Sequence, residues 1–230
     1  MRRARRRPTR AASIRAGLLA AFALMAAAGG AFAQAKAPPL THDQALADIT
    51  KPDAETRRRA AAWLGEVGAL ADAPVLIRAL HDSDEAVRVL AEHSVWQVWG
   101  RSGDAEADHL LQSGIEQMNR GDGPGAVETF TKAIQRKPDF AEAWNKRATV
   151  YFLMGEDEKS LRDCDEVIKR NPDHFGVLAG YGQIYTRLDQ PERALSYFRR
   201  ALRINPNMDG VRQMIRDLEQ LLTERRKGTI

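Results

Sequence analysis

The strongest constraint on this chain is a residue pattern that returns at a fixed interval along its second half. One copy carries small, aromatic and proline residues at Ala126, Phe130, Ala133 and Pro138. The same residue types return 68 positions later at Ala194, Phe198, Ala201 and Pro206. Midway between them, a related set stands at Trp144, Tyr151, Gly155 and Pro172. A period of about 34 residues is typical of a helical unit that stacks on copies of itself. The pattern therefore predicts an all-α fold, an α-solenoid of helix–turn–helix repeats.

This period, with its residue types, resembles the tetratricopeptide repeat, a helix–turn–helix unit. The resemblance divides residues 104–208 into three units, which are 107–140, 141–174 and 175–208. Apolar residues at helical spacing then predict a capping helix and tail over residues 209–230. Repeats of this family hold other proteins and rarely carry chemistry of their own. The resemblance therefore implies a protein-binding role.

A second, shorter repeat precedes these units, over residues 51–103. Its first copy has Asp53, Arg57, Ala60 and Leu64, and 31 positions later stand Asp84, Arg88, Ala91 and Val95. The pattern, with a proline-led helix between its copies, resembles the short HEAT-type repeat. About one and a half units are present, fewer than the three or so that a solenoid needs to stand alone. We therefore expect this segment to cap the N-terminal end of the larger array. Each Asp/Arg pair has the spacing to interact on one helix face.

The two flanks of the HEAT-like segment carry further signals. Residues 34–50 are expected to form a lead-in and a first helix, which Thr41 and Gln44 open with the spacing of a capping box. At the other end, Trp96 and Trp99 lie on one helix face because they are three residues apart. We expect these indoles to join the segment to the first tetratricopeptide helix, and stacking on a ligand is the alternative.

The N-terminal segment 1–33 has the composition of an export signal. It holds seven arginines and no acidic residue, with an apolar stretch over 16–28 and then Ala31-Phe32-Ala33. That order is typical of a secretory signal peptide, here cleaved after Ala33, and it predicts a periplasmic or secreted protein. The alternative is an uncleaved membrane anchor, because residues 16–33 are close to the shortest stretch that spans a bilayer.

Removing this segment changes the charge of the chain. The whole sequence has 35 basic and 31 acidic residues, and the segment 1–33 accounts for 7 of the basic ones. The remainder therefore has 28 basic and 31 acidic residues, a net charge of −3. Nucleic-acid binding is not predicted from such a balance. Cys164 is the only cysteine, so no intramolecular disulfide forms. It stands where the other units have phenylalanine, and we expect it to be a buried filler.

Motifs for catalysis, cofactors or metals are missing from the sequence. The five histidines are scattered and none has metal-ligand spacing to another. No nucleophile elbow, phosphate-binding loop or dinucleotide fingerprint is present. We therefore predict a protein that is not an enzyme, with no catalytic residue and no cofactor.

The resemblance implies a concave groove lined by the first helix of each unit. The predicted partner-binding residues are Ile115, Met118, Asn145, Lys146, Thr149, Phe152, Leu153, Gln183 and Arg187. On the third unit, small residues leave room for a partner at Gly176, Ala179 and Gly180. Chaperone-binding members of the family grip a C-terminal carboxylate with lysine, asparagine and arginine. The corresponding positions in the first and third units are Leu111, Ile115, Gly176 and Gly180, so that clamp is absent.

Residues 95–207, with Arg147 and the run His174-Phe175-Gly176, resemble uncharacterised exported tetratricopeptide proteins of proteobacterial type. This resemblance implies a location in the cell envelope. The expected function is a scaffold or adaptor that binds an extended or helical segment of an envelope protein in the concave groove. The alternative is a structural protein that associates with itself through its outer helix faces. Membrane contact is expected only if the signal segment is retained.

Overall fold

The computed structural model describes residues 40–228, and within them the chain forms helices and no β-strand. The all-α prediction is therefore confirmed. The predicted signal peptide and the start of the lead-in lie outside the described residues. The helices are α1 His42–Asp48, α2 Ala54–Val67, α3 Ala73–Ala79, α4 Glu85–Trp99, α5 Ala105–Asn119, α6 Gly123–Arg136, α7 Ala141–Leu153, α8 Asp157–Arg170, α9 Phe175–Arg187, α10 Pro191–Ile204 and α11 Asp209–Gly228, with a 3-10 turn at Leu70–Asp72.

Side-chain caps set the start of several helices. Thr41 and Gln44 exchange two hydrogen bonds of 2.9 and 3.2 Å, which is the capping box that the sequence predicts. Aspartate carboxylates accept the backbone N–H three residues later at α2, α4, α5 and α6, through Asp53, Asp84, Asp104 and Asp122. Such caps satisfy backbone donors that have no partner within the helix.

The turn inside each unit follows the repeat period in its backbone. Gly121 and Gly155 have φ angles of 80°, in the left-handed region that favours glycine. The third unit has Asp189 at the same place, with a φ of 54°. Aspartate tolerates this region better than most residues do, because its short polar side chain bonds locally. The repeat therefore sets the turn geometry as well as the packing.

Within residues 104–228, helices pack as consecutive antiparallel pairs, α5 with α6, α7 with α8 and α9 with α10, and α11 covers α10. A glycine on the first helix of a pair admits an aromatic ring from the second. A Cβ atom at Gly114 would lie 2.4 Å from Phe130 Cε1, and one at Gly182 would lie 2.4 Å from Phe198 Cε1. In the second unit, Cys164 takes the place of phenylalanine and is buried, as predicted.

The N-terminal block, which we define as α1 to α4, has its own apolar core around Leu64, Leu76 and Val95. Arg57 donates to both carboxylate oxygens of Asp82 at 2.7 and 2.8 Å, which ties α2 to the loop before α4. Within residues 40–228 neither predicted helix-face pair forms a salt bridge, because Arg57 binds Asp82 and Arg88 Nε donates to Asn207 of the array. The assignment of this block to the HEAT type stays a prediction.

The N-terminal block docks on the array at the segments that lead into α9 and α11. Trp96 and Trp99 contact Phe175 at the start of α9, with ring centroids 5.2 and 5.0 Å apart. Arg88 Nε donates to Asn207 Oδ1 at 2.9 Å, and Asn207 Nδ2 donates to Leu80 O at 2.9 Å. The sequence predicts the indoles against the first tetratricopeptide helix. The structure places them against the third unit, because Phe175 there offers a buried aromatic ring.

Candidate partner-binding groove

The first helices of the second and third units, α7 and α9, enclose a cavity of about 120 Å³ that we call the groove pocket. Its walls are Asn145, Thr149 and Phe152 from α7 and Gly176, Ala179, Gly180 and Gln183 from α9. Its floor consists of Ala148, Ser160, Cys164, Val177 and Ile184. The floor is apolar except for the hydroxyl of Ser160, and the other polar side chains lie on the walls. This arrangement suits one apolar side chain of a peptide whose backbone runs along the polar rim.

The polar side chains around the pocket differ in whether they already have a hydrogen-bond partner. Thr149 Oγ1 donates to Asn145 O at 3.0 Å and Ser160 Oγ donates to Ala148 O at 2.8 Å. Asn145 Nδ2 donates to Glu142 Oε2 at 3.2 Å. The side chain of Gln183 is exposed and has no hydrogen-bond partner within residues 40–228. Gln183 is therefore the wall residue whose amide is available to a ligand.

A buried polar cluster lies beside the pocket, at the start of α7 and α9. His174 Nδ1 accepts the backbone N–H of Val177 at 3.1 Å, so the ring proton is on Nε2, which donates to Glu142 at 3.0 Å. Lys146 Nζ lies 2.9 Å from the other carboxylate oxygen of Glu142. Burial opposes ionisation of Glu142, but the hydrogen bond from His174 and the charge of Lys146 outweigh it and lower the pKa of the carboxyl to about 2. The charge of Lys146 is thus balanced inside the protein.

Trp96 of the N-terminal block closes the groove at the N-terminal end of α9. A Cβ atom at Gly176 would lie 2.4 Å from Trp96 Cη2, so the indole fills the room that the missing side chain leaves. Lys146 Nζ lies 5.6 Å from the centroid of the same ring. At Gly180, one turn further along α9, no heavy atom lies within 4 Å of a Cβ position. The space expected at Gly176 is therefore occupied by this chain, and the space at Gly180 is open.

The structure brings four of the nine predicted binding residues together around the groove pocket: Asn145, Thr149, Phe152 and Gln183. Lys146 pairs with Glu142, as described. Arg187 pairs with Asp157 and lies with its guanidinium carbon 3.8 Å from the ring centroid of Phe152. Leu153 is 68% exposed beyond the pocket. Ile115 and Met118 pack against the core of the first unit.

Sequence reasoning missed the floor of the pocket, which depends on the second helix of the second unit. Cys164 stands where Phe130 and Phe198 fill the other two units, and its smaller side chain leaves the space that the pocket occupies. The signal was present, because the sequence already showed this departure from the repeat. Burial raises the pKa of the Cys164 thiol to about 12, so the pocket offers no reactive thiolate at neutral pH.

Residues 40–228 carry neither a metal-binding cluster nor a membrane-spanning helix. They contain no group of three or more histidine, cysteine or acidic side chains placed to hold a metal ion. None of the helices in this range combines the length and the apolar character that crossing a membrane requires.

Comparisons with known proteins agree with the helical repeat. Residues 139–207 match the family model of the tetratricopeptide repeat. A TPR repeat-containing protein of Rhizobium etli is 34% identical over 125 residues, which cover 54% of this chain and 60% of the relative. Hsp70-Hsp90 organizing protein 1 of Glycine max is 23% identical over 151 residues, which cover 64% of this chain and 25% of the relative. The chain thus spans less than two thirds of the length of either relative.

Solved structures share the fold. The Sgt2 TPR domain from Aspergillus fumigatus has a TM-score of 0.52 and 19% identity, covering 55% of this chain and 85% of that domain. The first TPR of Spaghetti (RPAP3), solved with an HSP90 peptide, has a TM-score of 0.50 and 22% identity, covering 51% of this chain and 96% of that one. These two structures share the helical fold of this chain, and the match to the tetratricopeptide repeat family model lies within residues 139–207.

Proposed function

We propose that this protein is a non-enzymatic adaptor of the cell envelope that binds an extended or helical segment of a partner protein in the groove between α7 and α9. The observation that carries the proposal is the open groove pocket, which has a largely apolar floor and, at Gln183, a side-chain amide with no partner within residues 40–228. A structural neighbour, the first TPR of Spaghetti, is solved with a peptide of HSP90 bound to it. That precedent supports peptide binding as the activity of this fold.

The dimensions of the pocket indicate what it would hold. A cavity of roughly 150 Å³ admits a benzene molecule, and the groove pocket measures about 120 Å³. One branched aliphatic side chain, such as leucine or valine, therefore fits. A terminal carboxylate is a poor ligand here because Lys146 is already paired with Glu142 and Arg187 with Asp157. The partner segment is thus held by an apolar side chain and not by its chain end.

The location in the envelope rests on the sequence pattern of segment 1–33, with its arginine-rich start, apolar stretch and small-residue exit. Partners would accordingly be envelope proteins. Membrane contact is expected only if this segment is retained as an anchor.

The test blocks the pocket without disturbing the polar cluster beside it. Gly180→Leu places a side chain in the open space of the groove, and a helical glycine tolerates this change because nothing lies within 4 Å of its Cβ position. Gly210→Leu is the matched control, since it is also helical and equally open but lies on α11. Proteins captured from an envelope extract are identified by mass spectrometry for the wild type and both variants.

We expect a partner that the wild type and Gly210→Leu capture and Gly180→Leu does not. A photo-cross-linking residue at Gln183 should then attach to that partner, which shows that it lies in the groove. Equal capture by all three proteins would refute binding in the groove pocket.

Self-association is the second candidate, and exposed apolar side chains favour it. Leu153, Met154 and Leu188 are exposed at the C-terminal ends of α7 and α9, along one edge of the array. A second copy of the chain could cover this edge. Light scattering over a concentration series tests it, and a Leu153→Glu/Leu188→Glu variant should lower the measured mass if the edge is the interface.

A further inference from the structure

A second cavity, of about 150 Å³, lies at the junction between the N-terminal block and the array. We call it the junction cavity. From the block it is lined by Leu70, Ala73, Pro74, Ile77 and Trp99, and from the array by residues 139–142 and 170–174. It shares no lining residue with the groove pocket. A hydrogen bond from Asn145 of the groove pocket to Glu142 of the junction cavity links the two linings.

The inner wall of the junction cavity is apolar. Trp99, Ala73 and Phe140 are buried, and Ile77 is partly buried against the core of the block. Leu70 differs from them because it is 52% exposed although it lines this recess. Covering this half-exposed aliphatic side chain with a ligand is favourable, because it removes apolar surface from water. The wall therefore favours an apolar group of a ligand.

Charged groups on the array side give the cavity an acidic rim. Asp173 is exposed and has no partner within the described chain. Asp139 is already paired with Lys137, whose Nζ lies 3.3 Å away, so Asp173 is the rim carboxylate available to a ligand. Arg170 also lines the cavity, but its guanidinium pairs with Glu166 at 2.6 Å and lies over the ring of Trp144. At the base, Glu142 is bonded to His174 and Lys146. A cationic group beside the apolar one is therefore complementary to this rim.

The size of the cavity limits the ligand. Drug-sized molecules occupy sites of about 300 to 1,000 Å³, whereas roughly 150 Å³ admits a single benzene ring. We propose that the junction cavity binds one aromatic side chain of a partner protein that is flanked by lysine or arginine. The ring contacts Leu70, Ile77 and Trp99, and the flanking cation lies near Asp173.

The test uses three capped tripeptides that share one backbone length. N-acetyl-Lys-Phe-Lys-amide supplies the ring and the cations, N-acetyl-Glu-Phe-Glu-amide reverses the charge, and N-acetyl-Lys-Gly-Lys-amide removes the ring. Binding to the full-length protein is followed by NMR through the indole N–H of Trp99 and the methyl group of Ala73. We expect saturable shifts with the basic aromatic peptide, at least tenfold weaker binding of the acidic one, and no saturation with the glycine peptide.

Variants of exposed residues then locate the site. Leu70→Lys should weaken binding of the basic aromatic peptide at least tenfold, because it puts a cation at the rim and removes apolar contact area. Val67→Lys is the matched control, since Val67 is 48% exposed on the same block and does not line the cavity. Asp173→Asn should weaken binding by up to about fivefold, the upper end of the range for one exposed charge pair.

Equal affinities for the basic and acidic aromatic peptides would overturn the charge argument. Unchanged binding by Leu70→Lys, or the absence of saturable shifts at millimolar peptide, would overturn the site itself. These outcomes are distinct from failure of the groove proposal, because neither Leu70 nor Asp173 lines the groove pocket.

Discussion

Two glycines of α9, only two residues apart, should respond in opposite ways to the addition of one methyl group. Gly180→Ala places the methyl group in the open groove pocket, where no heavy atom lies within 4 Å. Glycine inside a helix is about 1 kcal/mol less favourable than alanine. With no steric cost, the variant should gain about 1 kcal/mol in the free energy of unfolding. For a domain of this size, that gain raises Tm by about 2 to 4 °C.

At Gly182 the same methyl group meets a buried ring. Its Cβ atom would lie 2.4 to 2.6 Å from three carbon atoms of Phe198, which is fully buried and cannot turn away. Overpacking of this kind costs about 1 to 3 kcal/mol, which exceeds or cancels the gain in helix propensity. The free energy of unfolding of Gly182→Ala should therefore be up to about 2 kcal/mol lower than that of the wild type.

The stability of both variants is measured by urea unfolding, which is followed by circular dichroism. Their midpoints compare stability when the slope of the free energy of unfolding against urea concentration equals that of the wild type. The difference between the two midpoints carries the result, because the added atoms and the helix are identical. Equal midpoints would refute the close packing of Phe198 on α9. A destabilised Gly180→Ala would refute the open groove beside that glycine.

Three further experiments test the polar and thiol groups. Arg147→Leu leaves the buried Asp163 without its partner at 2.7 Å, so it should lower the free energy of unfolding by about 3 to 5 kcal/mol. Adding Asp163→Leu should recover most of that loss in a double-mutant cycle. Cys164 should react with Ellman's reagent at pH 8 only after unfolding, because the side chain is buried and burial raises the pKa of the thiol well above 8. The pKa of Glu142 is lower in the folded protein than its ordinary value of 4.5, so its ion pair stabilises the fold above pH 4.5 and loses this effect as the pH falls towards 2. Glu142→Gln should therefore make the free energy of unfolding depend less on pH in this range. Urea unfolding between pH 6 and pH 3 measures this dependence.

The repeat period was sufficient to predict the helical array because each unit is defined by residues close together in sequence. Gly182 and Phe198 are only 16 positions apart, and both belong to one helix pair. The all-α class and the tetratricopeptide resemblance followed from such local patterns. Cys164 could also be placed, because its offset in the unit matches two phenylalanines.

The groove was harder to predict because partners from elsewhere in the chain occupy part of it. The repeat pattern predicts an open position at Gly176. Trp96 fills this space, although it belongs to α4, far earlier in the chain. Lys146 reads as a solvent-facing cation, but a buried carboxylate one turn earlier, at Glu142, pairs with it. A repeat pattern describes which face a residue is on, and it does not state which other segment covers that face.

The docking of the N-terminal block on the last unit changes how the chain should come apart. In a stack whose units touch only their neighbours, the ends fray independently and stability is a sum of local terms. Here His81 bonds to the backbone of Ile204 and Arg88 bonds to Asn207, across 123 and 119 residues. Opening the third unit therefore also releases α4. We expect amide protons of α4 and α10 to lose protection from exchange together. The two helices would then unfold as one cooperative unit, although they lie far apart in sequence.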